Sequence, residues 1–290
     1  MQRDDNKPRV ALIGCGDIGI ALAQRLAPHD YRCLGLRRSP PASTEDLQWL
    51  AADYTQVSDL QPMIEWEPDY LVITLKPAAY TEAGYQQGYV AGAQSIAKAI
   101  SGCRLKRVFY VSSTRVYGES AGGWVDETSP LATEGYAALA LIAAEQAIVA
   151  AADTTLVRCA GIYDGAATFY RSRIERGLWS RSEPVIYTNR IHRADCVGFL
   201  AHLMHLMHLE QQGKALQSVY NAADNRPAPR HQLERWLADQ LGLIPPNDAS
   251  LPAHSPEAHK RVSNEALKAS GYSLRYSSFE EGYATGLSKR

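Results

Sequence analysis

Along the first half of the chain, short apolar runs alternate with longer stretches in which apolar positions recur every three or four residues. Val10 to Ile13, Arg32 to Leu36, Tyr70 to Leu75, Val108 to Val111 and Thr155 to Cys159 are short and apolar and read as strands. Asp17 to Leu26, about Gly84 to Ile100 and about Gly135 to Ala151 carry the helical period, the first of them ended by Pro28. Strand and helix in alternation make βαβ units, whose right-handed crossovers wind helices onto both faces of a parallel sheet. The expected class is therefore α/β, with a doubly wound parallel sheet. After Gly161 the regularity weakens, and Pro227, Pro229, Pro245, Pro246, Pro252 and Pro256 interrupt the last part of the chain. Residues 1–162 are expected to hold the main domain, and 163–290 a smaller C-terminal substrate lobe, interleaved with the remaining sheet elements.

The first strand runs straight into Gly14-Cys15-Gly16-Asp17-Ile18-Gly19 and then into the first helix. G-x-G-x-x-G in that setting has a mechanical sense. One glycine makes the tight turn, one lets the backbone approach a pyrophosphate, and one allows close helix packing, with phosphate at the helix N-terminus. Residues 1–162 are thus expected to be a dinucleotide-binding Rossmann domain, with these six residues around the cofactor. About 20 residues past such a loop, the second strand ends in the residue that reads the adenosine ribose, an acid for a free 2′-hydroxyl or an arginine for a 2′-phosphate. Here it ends Leu36-Arg37-Arg38-Ser39. The doublet favours NADP(H), with NAD as second choice, because guanidinium pairs bidentately with phosphate. The plainer alternative is two solvated arginines at a strand end. Asp53 is a candidate adenine contact or a turn residue. Cys15 lies where a helix dipole favours a thiolate, or is a small residue filling the turn.

Val108-Phe-Tyr-Val-Ser112-Ser113-Thr114-Arg115-Val116-Tyr117-Gly118 resembles the extended and atypical short-chain dehydrogenase/reductases, the NAD-dependent epimerase/dehydratase group. Val125-Asp-Glu127-Thr-Ser-Pro130, Leu156 to Tyr163, Asn189 to Asp195, Val219-Tyr220-Asn221 and Lys260 to Asn264 agree with it in order, so the resemblance spans nearly the whole chain. It implies that a hydroxyl at the position of Ser113 hydrogen-bonds the reacting oxygen, and that a Y-x-x-x-K pair one helix later supplies the proton and binds the nicotinamide ribose. Such a tyrosine needs the lysine cation to lose its proton near neutral pH. This chain has Tyr136-Ala-Ala-Leu-Ala140, and shifting to Ala137 and Leu141 brings no lysine. Its glycine loop is also tighter than the G-x-x-G-x-x-G usual in extended members. Both departures point to the atypical subgroup. Ser113 and Thr114 remain to polarise a carbonyl, with Tyr117 or Lys76 at strand carboxyl ends as candidate proton donor or cation; their alternatives are a packed aromatic and an exposed lysine. The resemblance implies an NAD(P)-binding oxidoreductase or epimerase/dehydratase-like protein acting on a small carbonyl or nucleotide-sugar-like substrate. The alternative is a non-catalytic NADP(H)-binding redox sensor or partner-binding protein.

Charge and cysteines narrow the partners. Thirty basic against 31 acidic residues leave a net charge of −1, too little to gather nucleic acid or an anionic membrane. Five scattered cysteines without a C-x-x-C pair, and no apolar export segment among the first nine residues, fit the cytoplasm. The apolar stretch Ala137 to Ala152 is mostly alanine and includes Glu145 and Gln146, so it reads as a soluble helix and not a membrane span. His202, His205 and His208 would step about 60° apart around a helix, which argues against a shared metal. Asp195 is expected to cap the same helix and His192 to bond backbone. Arg158, Arg173 and Arg190 are candidates to face an anionic substrate, and a homodimer is compatible with the chain.

Overall fold

The computed structural model describes residues 7–209, 216–251 and 259–287. Pro252, Pro256 and the His208 side chain lie outside the described residues. In chain order the elements are β1 (Arg9–Ile13), α1 (Asp17–Leu26), β2 (Arg32–Arg37), β3 (Leu47–Ala51), α2 (Val57–Glu65), β4 (Tyr70–Ile73), α3 (Glu82–Tyr85), a π-helical turn (Gln86–Ala91), α4 (Gly92–Ile100), β5 (Arg107–Ser113) and β6 (Ala121–Val125). There follow α5 (Tyr136–Ala151), β7 (Thr154–Cys159), β8 (Gly161–Tyr163), α6 (Thr168–Glu175), β9 (Tyr187–Thr188), β10 (Arg190–His192), α7 (Arg193–Leu209) and β11 (Val219–Ala222). The last are β12 (Ala228–Pro229), α8 (Arg230–Leu241), β13 (His259–Val262), α9 (Glu265–Ala269) and α10 (Phe279–Ala284).

Seven strands form one sheet in the order β11-β7-β5-β4-β1-β2-β3. Its pairings of β1 with β2 and β4, β2 with β3, and β4 with β5 are parallel. The class read from the alternating pattern is therefore the one observed. From β1 the chain moves outward to β2 and β3, then returns to place β4 on the other side of β1. That reversal leaves a crevice outside the carboxyl ends of β1 and β4, where open α/β sheets take their ligands. Strands β1 and β4 are buried almost throughout, as expected of strands covered on both faces. Helix α1 turns Gly19, Leu22, Ala23 and Leu26 inward, a spacing that makes one helical face.

Before β5, two elements depart from what the apolar pattern predicts. Strand β3 sits at the sheet edge with only Leu47 fully buried, so its apolar signal is weak. Helix α2 carries Pro62 in its interior, which reads as a breaker. The helix expected over about Gly84 to Ile100 is three pieces, α3, the π turn and α4.

The chain forms two compact units. The first takes Met1–Val116, Ala132–Arg158 and Val197–Tyr220; the second takes Tyr117–Leu131, Cys159–Cys196 and Asn221–Arg290. The core of the first is centred on Ile13, Leu36, Leu71, Ile73, Tyr110 and Ala144. That of the second gathers Leu233, Leu237, Phe279 and Tyr283. Within the second unit, β13 pairs with β6 and β10 with β8, both parallel.

The start of α7 corrects one expectation. The helix begins at Arg193, so Asp195 lies inside its first turn and is not the cap. Its buried carboxylate instead accepts the backbone N–H groups of Arg275 at 2.6 Å and Tyr276 at 3.0 Å and the Tyr272 hydroxyl at 3.1 Å. His192 Nδ1 accepts the Ala194 N–H at 3.1 Å. Further along α7, His202 stacks on Phe199 with 6.4 Å between ring centroids, and His205 is exposed. Among the described residues, no group of three or more His, Cys, Asp or Glu side chains is placed to hold a metal, and no helix is long and apolar enough to cross a membrane.

Candidate functional site

The three glycines after β1 have three different reasons to be glycine. Gly14 has φ +73°, and a β-carbon there would lie 2.2 Å from the Thr74 carbonyl oxygen. Thr74 locks this turn from the end of β4, its N–H on Ile13 O at 2.9 Å and its hydroxyl on Gly14 O at 3.0 Å. At Gly19 a β-carbon would lie 2.7 Å from Cys15 Sγ, so this position sets the approach of α1 to the strands. Gly16 differs from both. A β-carbon there would meet nothing nearer than Gly14 O at 3.9 Å, so its face is open. Gly16 also precedes α1, whose N-terminus has no side-chain cap. An open backbone face at the positive end of a helix dipole is a cradle for a dianionic pyrophosphate, and the residues present fit that group.

Asp17 is exposed and Ile18 half-buried in the first turn of α1. Cys15 is 1% exposed, and its N–H is already used on Leu36 O at 3.0 Å. Burial pushes its thiol up to about 12, with Arg37 pulling weakly the other way. Of the two readings of this cysteine, burial favours the neutral filler of the turn over the thiolate.

At the end of β2, Arg37 and Arg38 are both exposed, with the Arg37 guanidinium 6.0 Å from the Trp49 ring centroid. Asp53, just beyond β3, accepts the Thr55 N–H at 3.0 Å and the Thr55 hydroxyl at 2.8 Å. These bonds, the backbone one foremost, hold its carboxyl below the usual range, and the Arg38 charge adds to them. Asp53 is thus a turn residue that also stands within the field of Arg38.

The segment after β4 is seated on glycines spaced four apart. A β-carbon at Gly84 would lie 2.2 Å from Ala79 O, one at Gly88 2.2 Å from Lys76 O, and one at Gly92 2.7 Å from the Tyr54 ring. One helix face therefore lets the backbone of residues 76–79 lie directly on it, a feature that the Gly84, Gly88, Gly92 spacing could have revealed. Lys76 is exposed in this segment, and its carbonyl accepts the Tyr54 hydroxyl at 3.4 Å.

Strand β5 ends at Ser112 and Ser113. The Ser112 hydroxyl is buried with no hydrogen-bond partner among the described residues. Ser113 is half-buried, and its Oγ accepts the Arg115 N–H at 3.2 Å in the turn Thr114–Val116. Thr114 is half-buried beside it. At the start of α5, Tyr136 is 43% exposed and meets Tyr85 edge-on at 5.6 Å. Ala137 and Ala140 are buried with Tyr85, and Tyr89 and Val90 pack against that group.

The other candidates are engaged elsewhere. Tyr117 opens the second unit, 2% exposed, with its hydroxyl donating to Asn221 Oδ1 at 2.6 Å and its carbonyl accepting Lys260 Nζ at 2.6 Å. Asn221 is held in turn by its N–H on Glu127 Oε1 at 2.7 Å. Arg158 makes a buried, bidentate pair with Glu145 at 3.1 and 2.7 Å. Arg173 reaches Glu234 at 3.4 Å, and Arg190 donates to Thr188 Oγ1 at 2.6 Å with its guanidinium 5.0 Å from the Phe279 ring centroid. All three arginines have partners inside the protein, which corrects their reading as groups turned toward a substrate. A cavity of about 600 Å³ lies at the opposite strand ends from the glycine loop, by Tyr31, Arg32, Cys33 and Gln48.

Comparison with known proteins agrees with this architecture. A protein of Methylobacillus flagellatus described as a candidate NAD-dependent epimerase/dehydratase is 34% identical, with 97% of each chain covered and a TM-score of 0.78. The Bordetella bronchiseptica enzyme WbmG, solved with NAD, is 16% identical over 99% of this chain and 94% of its own, with a TM-score of 0.76. The UDP-glucose 4-epimerase of Thermotoga maritima, solved with UDP-glucose, is 15% identical over 96% and 97%, with a TM-score of 0.75. No curated protein sequence matches. The sequence profile of the NAD dependent epimerase/dehydratase family matches residues 12–164, and the chain belongs to that family.

Proposed function

We propose that the chain binds NADP(H), with NAD as the weaker ligand, outside the carboxyl ends of β1 and β4. There it acts on a small carbonyl or nucleotide-sugar-like molecule as an oxidoreductase or epimerase/dehydratase-like protein. The observation that carries this reading is the open face of Gly16 between two sterically obligatory glycines, at an uncapped helix N-terminus. Arg37 and Arg38 bind the 2′-phosphate from the end of β2, and the seated segment 76–79 shapes the nicotinamide end. When bound, the dinucleotide supplies or accepts hydride. Ser113, held by the Arg115 N–H, hydrogen-bonds the reacting oxygen, and Thr114 assists. Lys76 contributes a cation at the same edge. Tyr117 belongs to the interior of its unit, its hydroxyl spent on Asn221. The NAD held by WbmG and the UDP-glucose held by the Thermotoga epimerase support the two ligand classes.

Calorimetric titration with NADPH and with NADH tests this reading. Charge-assisted bonds to the 2′-phosphate contribute about 1.5–3 kcal/mol, so Arg37→Ala/Arg38→Ala should weaken NADPH about 10-fold to 100-fold and leave NADH unchanged. Failure of the wild type to bind either nucleotide overturns the reading. Ser113→Ala should lose turnover with NADPH affinity intact. Alanine at position 140 favours one second reading, an NADP(H)-binding sensor or partner-binding protein. It predicts NADPH binding with no NADPH oxidation by any sugar, aldehyde or ketone.

A further inference from the structure

In the parallel register of β2 and β3, Trp49 stands directly opposite Gly35. A β-carbon at Gly35 would lie 2.8 Å from the Trp49 ring and 3.1 Å from Cys15 Sγ. The indole therefore lies across the bare backbone of β2, on the face of the sheet that holds Cys15 of the glycine loop. Side chains alternate along a strand, so Arg37, two residues after Gly35, leaves β2 on that same face. Leu34 and Leu36 point the other way, into the core. The Arg37 guanidinium stands over the Trp49 ring, 6.0 Å from its centroid, which is within reach of the π face. Arg37 O accepts the Ala52 N–H at 3.2 Å and ties the end of β2 to the end of β3, while the Trp49 N–H donates to Ser43 Oγ at 3.2 Å. Arg38 follows the end of β2, where its charge acts on Asp53.

We propose that Trp49 is a positioning residue for NADP(H), holding the Arg37 guanidinium on the glycine-loop face, so that Arg37 is the arginine of the doublet that reads the 2′-phosphate. The proposal rests on the NADP(H) reading above and divides the work within it. A guanidinium against a ring face keeps its in-plane N–H donors turned outward, and those donors are the ones that pair bidentately with phosphate. An exposed arginine without such a support must be ordered when the ligand arrives, and that ordering weakens binding. Trp49 meets part of the cost in advance, and it does so for the phosphorylated dinucleotide alone, because a free 2′-hydroxyl has no use for the cation. Gly35 is the condition for the arrangement, since any larger residue there would push the ring off the strand. Arg38 adds positive charge from beyond the strand end.

Calorimetric titration of single and double variants with NADPH and with NADH decides the matter. Trp49→Leu should weaken NADPH about 3-fold to 10-fold and leave NADH unchanged. Trp49→Phe, which keeps a π face, should hold NADPH within about 2-fold of wild type. In an Arg37→Ala background, Trp49→Leu should cost nothing further, because a residue that acts through Arg37 has nothing left to act on. Thermal melts and NADH binding report whether each variant folds, and Trp49→Met gives the same comparison should leucine not be accommodated. Equal losses of NADPH and NADH affinity in Trp49→Leu would reduce the ring to a prop for the glycine loop, and an undiminished loss without Arg37 would break the link between the two; either overturns the proposal. So does Arg38→Ala weakening NADPH more than Arg37→Ala. A wild type that prefers NADH overturns the proposal and leaves a dinucleotide site standing, whereas a wild type that binds neither nucleotide removes the cofactor reading, and this proposal with it.

Discussion

Replacing Gly16 by alanine separates ligand binding from folding, because the two effects draw on different parts of the site. The added methyl meets nothing within 3.9 Å, and φ of −102° is open to any residue. Alanine is a poorer helix N-cap than glycine by about 0.5–1 kcal/mol. It also narrows the unfolded ensemble, which returns about 0.4–1 kcal/mol. The net change is then within about 0.5 kcal/mol, a shift in Tm of a degree or two for a chain of this size. NADPH affinity should nevertheless fall at least about 10-fold, 1.4 kcal/mol, because the methyl occupies the face on which the pyrophosphate rests. Gly14→Ala supplies the opposite result. A left-handed φ costs alanine about 1–2 kcal/mol, and the 2.2 Å approach to Thr74 O adds an overpacking cost of about 1–3 kcal/mol. Its Tm should drop by several degrees before any question of binding arises. Thermal melting and calorimetric titration of both variants are the assay. Gly16→Ala binding NADPH as tightly as wild type, with Tm unchanged, would refute the placement of phosphate on that face.

The Glu145 and Arg158 side chains are only 5% and 6% exposed, so Glu145→Gln should destabilise by about 3–5 kcal/mol, chiefly by removing the carboxylate charge that the buried guanidinium faces. The double variant Glu145→Leu/Arg158→Met should recover at least half of that in denaturant melts, and a double variant as unstable as the single would sink the argument. Burial raises the Asp224 carboxyl from 3.8 to about 7, against the pull of Arg190. An acid with a raised folded pKa binds its proton more tightly in the fold, so stability is lost as pH climbs from about 4 to about 7. Asp224→Asn should therefore melt higher than wild type at pH 8, by up to about 4 kcal/mol, with the gain fading toward pH 4; equal melts at pH 8 would contradict this. Cys15, buried and protonated, should react with a thiol reagent only on unfolding, and fast labelling of Cys15 in the native protein would show the loop to be open.

What could be read from the chain was what depends on neighbours in sequence. The strand before Gly14, the helix after it, the tight turn at Gly14 and the close packing at Gly19 are local matters, and they stand in the structure as the pattern suggested. The readings that changed depend on partners far along the chain. The Asp195 carboxylate looked like a cap, yet it ties down the backbone at Arg275 and Tyr276. Arg158 and Arg173 looked outward, and Glu145 and Glu234 hold them in. The Tyr117 hydroxyl is paired with Asn221, 104 residues away. Strand β3 was missed because an edge strand buries too little to show a run, and α2 because Pro62 is tolerated inside it. The π turn leaves the apolar period almost intact and shows only in the helix geometry.

Because the first unit includes Val197–Tyr220, it is incomplete until residue 220 has left the ribosome. A fragment ending near residue 162 would present β7 as an open row of backbone donors and acceptors, since β11, its neighbour in the sheet, has not yet been made. During synthesis, that apolar edge must wait through some sixty residues, most of them belonging to the other unit, before its partner arrives. Chaperone demand and aggregation on truncation should therefore concentrate at β7, an open-edge hazard of a kind that native sheets cover. The order of strands in space thus imposes a schedule on the nascent chain that the finished fold no longer displays.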